Sequence, residues 1–205
     1  MGDVSADNIT IEMLKEAHET VRCSPLDVIN TPIIRWCQTT LPLNTSSNIH
    51  IKLENMQRTG SFKIRGVANQ FAKRLKGGHF VTMSAGNYGK SFAYASCTMY
   101  KSFIEKKPVG MDAKSIASGL APPFAGSLPY ELCQKYVENI VLVTDEEIKS
   151  AVSTLYKAGL VVEPSGTAAF AAIMNEKIPD INGKNVVVIL SGGNIGKDEL
   201  SNFPD

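Results

Sequence analysis

Lys63 lies in the stretch Thr59-Gly60-Ser61-Phe62-Lys63-Ile64-Arg65-Gly66. Ser61 stands where a helix N-cap belongs, and Val67, Ala68, Phe71, Ala72 and Leu75 follow at helical spacing. Lys63 then falls in a first turn, where the positive end of the helix dipole disfavours a second positive charge. Burial acts in the same direction. An uncharged amine attacks aldehydes, so a lysine here can form a Schiff base; a solvated first-turn lysine is the competing reading. Two more polar turns follow apolar runs: Ser84-Ala85-Gly86-Asn87-Tyr88-Gly89 after His79–Met83, and Ser191-Gly192-Gly193-Asn194 after Val186–Leu190. A strand, a small-residue turn and a helix form the arrangement whose free N–H groups bind anions in open α/β sheets. An ordinary turn is the alternative at Ser84–Gly89.

The elements that must carry these turns are legible in the spacing. Ile11, Leu14, Ala17 or His18, and Val21 mark one face of a helix over Thr10–Arg22, ended by Ser24-Pro25. Thr31–Trp36 starts a short strand, and Ile49–Leu53 alternates as a strand running into the lysine stretch. A helical run covers Lys90 to about Tyr100, and the glycines and prolines of Lys101–Ser127 read as loop with at most a short helical piece. Leu128–Tyr136 suits a helix. Asn139–Val143 reads as a buried strand, and Thr144-Asp145-Glu146-Glu147 is a capping box for a helix stopping near Gly159. Glu163-Pro164-Ser165-Gly166 reads as a turn before a small-residue helix from Thr167 to about Met174. Val186–Leu190 is a fully apolar strand, and apolar runs of this kind belong to strands covered on both faces. Strands alternating with helices predict an α/β fold with an open parallel sheet.

At 205 residues, 43% hydrophobic and 20% charged, with a net charge of +1, the chain has the composition of an ordinary globular protein. That balance gives no electrostatic reason to expect nucleic acid or an anionic membrane as partner. Cys23, Cys37, Cys97 and Cys133 are far apart and lack metal-ligand spacing, so no metal site is expected and a reduced setting is the simpler one. There is no basic patch leading an apolar run at the start and no apolar run long enough to cross a bilayer. A cytoplasmic protein is expected.

A Schiff-base lysine, an amide-bearing turn and a serine turn are together what a pyridoxal 5'-phosphate site needs: the lysine bonds the aldehyde, an asparagine steadies the ring hydroxyl, a serine faces the ring nitrogen. The chain resembles the fold type II pyridoxal-phosphate enzymes, in the serine racemase and threonine/serine dehydratase branch. Lys52-Leu53-Glu54-Asn55 with Thr59–Gly66, Ser84-Ala85-Gly86-Asn87, Glu163-Pro164-Ser165-Gly166 and Leu190-Ser191-Gly192-Gly193-Asn194 carry the likeness, in the family's order. The resemblance implies an open parallel-sheet fold of the tryptophan synthase β-like type. It implies cofactor contacts from Lys63 (the Schiff base), Asn87 (the ring hydroxyl) and Ser191 (the pyridine nitrogen), and substrate contacts from Ser84, Ala85, Gly86 and Asn87. The implied activity is that of an ammonia-lyase on L-serine, L-threonine or a related hydroxy-amino acid. Lys63 removes the α-proton, the β-hydroxyl leaves, and hydrolysis gives a 2-oxo acid and ammonia. A neutral serine at the pyridine suits elimination and racemisation better than transamination. The racemases carry a second serine at the position of Ala85, and a methyl group cannot exchange a proton.

The likeness is incomplete. The family holds the cofactor phosphate in a run of glycines between the asparagine turn and the last third of the chain. Here the only adjacent glycines are Gly77-Gly78 and Gly192-Gly193. Family members are also roughly half as long again, beyond ordinary loop variation, and the jump falls near Tyr100–Met111. The whole chain, 1–205, therefore reads as a single dehydratase-like unit with its small domain truncated to a remnant at about 79–107. Two alternatives stand beside the lyase: an inactive truncated or splice form lacking the phosphate loop, and a racemase. A homodimer or a pairing with a full-length homologue is the implied assembly.

Overall fold

The computed structural model describes residues 9–73, 95–110, 115–117 and 127–203. The expected strand at His79–Met83 and the turn Ser84–Gly89 lie outside the described residues. The chain divides into two compact units whose segments interleave along the sequence.

One unit takes Met1–Asn30, Lys63–Ala113 and Gly119–Ile140. Helix α1, Ile11–Arg22, starts where expected: the Thr10 hydroxyl oxygen accepts the Met13 N–H at 3.2 Å. Its apolar stripe is not a core face, since Ile11 and Leu14 are exposed and no residue of the helix is buried. Helix α2, Lys63–Ala72, packs against α1 and buries Ala68. A salt bridge at 3.4 Å joins Lys73 to Glu16 across exposed side chains, a contact of little net stability. Helix α3, Ala95–Glu105, runs further than the predicted Tyr100, and helix α4, Ser127–Tyr136, follows. Phe103 and Tyr130 meet edge-to-face with ring centroids 6.4 Å apart, and Cys133 and Ile140 complete this small core.

The other unit takes Thr31–Phe62, Lys114–Ser118 and Val141–Asp205. Its sheet has the order β1 (Ile33–Arg35), β2 (Asn48–Leu53), β3 (Asn185–Leu190). β2 and β3 run parallel, with Ile49, Ile51 and Leu53 opposite Val186, Val188 and Leu190; β1 is antiparallel to β2. Helices α5 (Asp145–Lys157) and α6 (Pro164–Met174) pack on each other, and α6 packs on β3. Period-two alternation puts Ile49, Ile51, Leu53, Val188 and Leu190 on one buried face. The core they share holds Phe170, Ala171, Ile148, Val152 and Leu155. A short helix α7, Lys197–Leu200, closes the described chain.

Three expectations are corrected. β3 is covered on one face only: Val187 and Ile189 are 61% and 51% exposed. Asn139–Val143 forms no strand, and among the described residues no ladder pairs with it; the Leu142 carbonyl accepts from Lys177 Nζ at 3.0 Å. Helix α6 starts at Pro164, three residues before Thr167, since proline at the first helical position needs no donor and has its φ already set. The capping box is as read: Thr144 Oγ1 accepts the Glu147 N–H at 3.2 Å and Glu147 Oε2 accepts the Thr144 N–H at 2.7 Å.

Candidate functional site

Three chain ends meet at the C-terminal edge of the parallel pair β2/β3, where open α/β sheets place their ligands. The first is the turn after β2, Glu54–Phe62. The second is Ser191–Asn194 after β3. The third is Val161–Gly166, leading into α6. Gly193 N–H donates to Gly60 O at 2.8 Å and Phe62 N–H to Ser191 O at 3.1 Å, a short antiparallel bridge centred on Ser61 and Gly192. Glu163 N–H donates to Gly192 O at 3.0 Å. Side chains add to the weave: Asn194 Nδ2 reaches Thr59 O at 3.0 Å, and Asn55 Nδ2 reaches Val161 O at 3.1 Å.

Glycine is required here by close approach. A Cβ on Gly193 would sit 2.6 Å from Val161 O, and one on Gly166 would sit 2.5 Å from Gly192 O. A Cβ on Gly192 would overlap the Glu163 carboxylate, and Gly60 (φ +73°) would overlap the Asn194 amide. These small residues let three backbones pack edge to edge.

Ser191 is half-buried at the end of β3, and its hydroxyl makes no hydrogen bond to any described residue. It is a neutral donor and acceptor, which fits the unprotonated ring nitrogen of a pyridoxal group. Lys63 is half-buried and opens α2, immediately after Phe62 in the chain. Ser61 is not the helix N-cap expected of it. Helix α2 begins at Lys63, and Ser61 is buried in the bridge to Gly192.

Of a phosphate cradle built from Gly60 or Gly192-Gly193, the Gly60 and Gly193 amides do not fit. Gly60 N–H already donates to Gln57 O at 2.7 Å, and Gly193 N–H to Gly60 O. The candidates Ser84, Ala85, Gly86 and Asn87 lie outside the described residues. Arg65 donates to Ile29 O at 3.2 Å, and Glu163 stands at the N-cap position of α6 without a side-chain capping bond. Among the described residues no cluster of His, Cys, Asp and Glu could hold a metal, and no helix is long and apolar enough to cross a membrane. Cys23, Cys37 and Cys133 are free thiols.

Sequence reasoning missed Glu54, Thr31 and Gln57, which are buried together beneath the turn after β2. The alternation that buries Ile49, Ile51 and Leu53 assigns the next residue to the outer face, so no local signal marks Glu54 as buried.

Residues 25–98 and 96–192 match the family described as pyridoxal-phosphate dependent enzyme. The L-threonine ammonia-lyase of Thermotoga maritima is 39% identical over 93 residues, 45% of this chain and 21% of that protein. Phenylserine dehydratase of Ralstonia pickettii is 36% identical over 98 residues, 47% of this chain and 30% of that protein. The chain thus aligns with less than a third of the length of either relative. The processed form of threonine deaminase isoform 2 from Solanum lycopersicum superposes with a TM-score of 0.77 at 17% identity, covering 95% of this chain and 88% of that one. Serine racemase from Dictyostelium discoideum gives 0.71 at 18% identity, covering 92% and 99%. At such identities the structures establish the fold.

Proposed function

We propose, for a chain that belongs to the family of pyridoxal-phosphate dependent enzymes and has their fold type II architecture, that it is an ammonia-lyase of hydroxy-amino acids. The substrates would be L-serine, L-threonine or a close relative. The observation that carries the proposal is the bridge between the two turns. The residues leading into Lys63 are hydrogen-bonded to the residues bearing and following the Ser191 hydroxyl. When bound, pyridoxal phosphate supplies the electron sink that stabilises negative charge at the substrate α-carbon.

The chain's own residues do the rest. The Ser191 hydroxyl holds the ring nitrogen without protonating it. The Lys63 amine would hold the cofactor's aldehyde and would take the proton from the substrate α-carbon. Asn87 would steady the ring hydroxyl, and Ser84, Ala85, Gly86 and Asn87 would contact the substrate. The substrate then loses its β-hydroxyl as water and regains water on hydrolysis, so one hydroxy-amino acid gives one 2-oxo acid and one ammonia. Ala85 offers no proton donor for the opposite face, which favours elimination over racemisation. The free thiols are consistent with a cytoplasmic setting. A coupled assay for 2-oxo acid released from L-threonine, L-serine and phenylserine tests the proposal; no oxo acid from any of them would sink it.

A second reading has its own observation. The sequence has two pairs of adjacent glycines, Gly77-Gly78 and Gly192-Gly193, and the Gly193 amide, like that of Gly60, is committed to a backbone carbonyl. A form without a phosphate anchor, inactive alone and pairing with a full-length homologue, would bind pyridoxal and pyridoxal phosphate equally well. An anchored site would strongly prefer the phosphate, because charge-assisted bonds to a dianion contribute about 1.5–3 kcal/mol each. Comparing the two dissociation constants separates the readings.

A further inference from the structure

The turn leading into Lys63 is built on a buried charge that the proposed chemistry does not use. Glu54, at the C-terminal end of β2 in a short 3-10 turn, is 4% exposed. Its Oε1 accepts the Thr31 hydroxyl at 2.6 Å, and its Oε2 accepts the Gln57 side-chain amide at 3.2 Å. Thr31 and Gln57 are themselves buried. Lys52 Nζ lies 3.8 Å from Oε1 and donates to the Thr31 carbonyl at 2.6 Å. A carboxylate this deep is costly unless paired and hydrogen-bonded, and a well-packed apolar side chain would stabilise the same position at least as well. Its presence calls for a positional reason.

The hydrogen bonds run on from it towards the site. Gln57 O accepts the Gly60 N–H at 2.7 Å, Gly60 O accepts the Gly193 N–H at 2.8 Å, and Phe62 N–H reaches Ser191 O at 3.1 Å. Resting on the roles proposed above for Lys63 and Ser191, we infer that Glu54 is a positioning residue for the lysine turn. Its two oxygens fix Thr31 and Gln57 on either side of it in the chain. Gln57 fixes Gly60, and Gly60 and Phe62 hold the backbone against the serine turn at the point where it enters Lys63. Glu54 touches no reacting atom. Its effect is on where the lysine backbone starts.

Glu54→Ala, Glu54→Gln and Thr31→Val in the full chain are compared with the unaltered protein by two measurements. The first is hydrogen exchange at the Gly60, Phe62 and Gly193 amides, with the α5 amides as internal reference. The second is the share of a pyridoxal label captured on Lys63. The aldehyde condenses with an amine with loss of water, borohydride delivers hydride to the C=N carbon, and peptide mass mapping locates the new C–N bond. Glu54→Ala should speed exchange at the three amides about tenfold or more relative to α5, and cut the Lys63 share severalfold. Glu54→Gln keeps the size and an acceptor for Thr31, and the Gln57 amide can turn to match it, so it should restore most of both. Thr31→Val should fall between.

Unchanged exchange and an unchanged Lys63 share in folded Glu54→Ala would overturn the inference, as would Glu54→Gln proving as damaging as Glu54→Ala. If Glu54→Ala does not fold, Thr31→Val decides by the same criteria, with Glu54→Gln expected to be the milder change. Neither readout depends on turnover. Failure of the proposed reaction shows instead as no oxo acid from an unaltered protein whose Lys63 is still the captured lysine. If the unaltered protein shows no preference for Lys63, the site assignment fails and exchange alone decides the role of Glu54.

Discussion

The backbone N–H of Phe62 donates to the carbonyl oxygen of Ser191 at 3.1 Å, while the Ser191 hydroxyl bonds no described residue. Backbone and side chain of one serine are thus assigned different tasks: the carbonyl holds the lysine turn and the hydroxyl is available to a ligand. Ser191→Ala should leave the urea midpoint unchanged and weaken pyridoxal phosphate binding several-fold, the worth of one neutral hydrogen bond at about 0.5–1.5 kcal/mol. A fluorescence titration beside a urea melt reads both. A large fall in stability with unchanged affinity would reverse the assignment.

The glycines of the three-chain edge should divide sharply from a helical one. Gly193→Ala and Gly166→Ala each drive a methyl group to within 2.5–2.6 Å of a backbone carbonyl oxygen, which cannot swing away like a side chain. Each should cost roughly 1–3 kcal/mol. Gly66, inside α2 with nothing within 4 Å of its missing Cβ, should stabilise by about 1 kcal/mol on change to Ala. Urea midpoints of the three variants check the contrast.

Acid should loosen the second unit through Glu147. The Lys177 ammonium at 2.7 Å, and then the Thr144 N–H, hold its carboxyl below the ordinary value of 4.5. A carboxylate whose folded pKa is depressed contributes stability above its unfolded pKa, and that contribution is lost as pH falls through the folded value. The stability of the unaltered protein should therefore begin to drop below about pH 4.5. Lys177→Met should lower stability at pH 7 and flatten the acid limb below pH 4.5, as followed by urea midpoints between pH 3 and 7. An acid limb identical in Lys177→Met would contradict the pairing.

The alternation of Ile49, Ile51 and Leu53, the apolar run Val186–Leu190 and the capping box at Thr144–Glu147 each encode their element in a local pattern, and each element forms, although β3 is covered on one face and not on both. Asn139–Val143 has an equally apolar pattern and forms no strand. A strand needs a neighbour to pair with; among the described residues this segment has none, and no local pattern supplies one. Pro164 reads as part of a turn and is a helix start, because the same locked φ suits both. The candidate site was legible as three polar turns at Lys63, Ser84–Asn87 and Ser191. What holds two of them together was not. Gly166, Gly192 and Gly193 are small because backbones from distant parts of the chain press against them, and Glu54 reads as a surface carboxylate until Thr31 and Gln57 enclose it.

Ala85 bears on the stereochemical outcome. Without a hydroxyl at that position the protein should form 2-oxo acid from L-serine and no D-serine. Ala85→Ser should introduce measurable D-serine, read by chiral chromatography. Equal D-serine from both forms would mean that the second proton comes from elsewhere.

Lys63 is the residue on which the whole account turns, and turnover in the presence of saturating pyridoxal phosphate tests it most directly. The unaltered protein, given L-threonine or L-serine, is predicted to release 2-oxo acid and ammonia in equal amounts. Lys63→Ala, folded by circular dichroism, is predicted to lose that activity by about a hundredfold or more. Equal rates from the two proteins, or no oxo acid from the unaltered one, would contradict it.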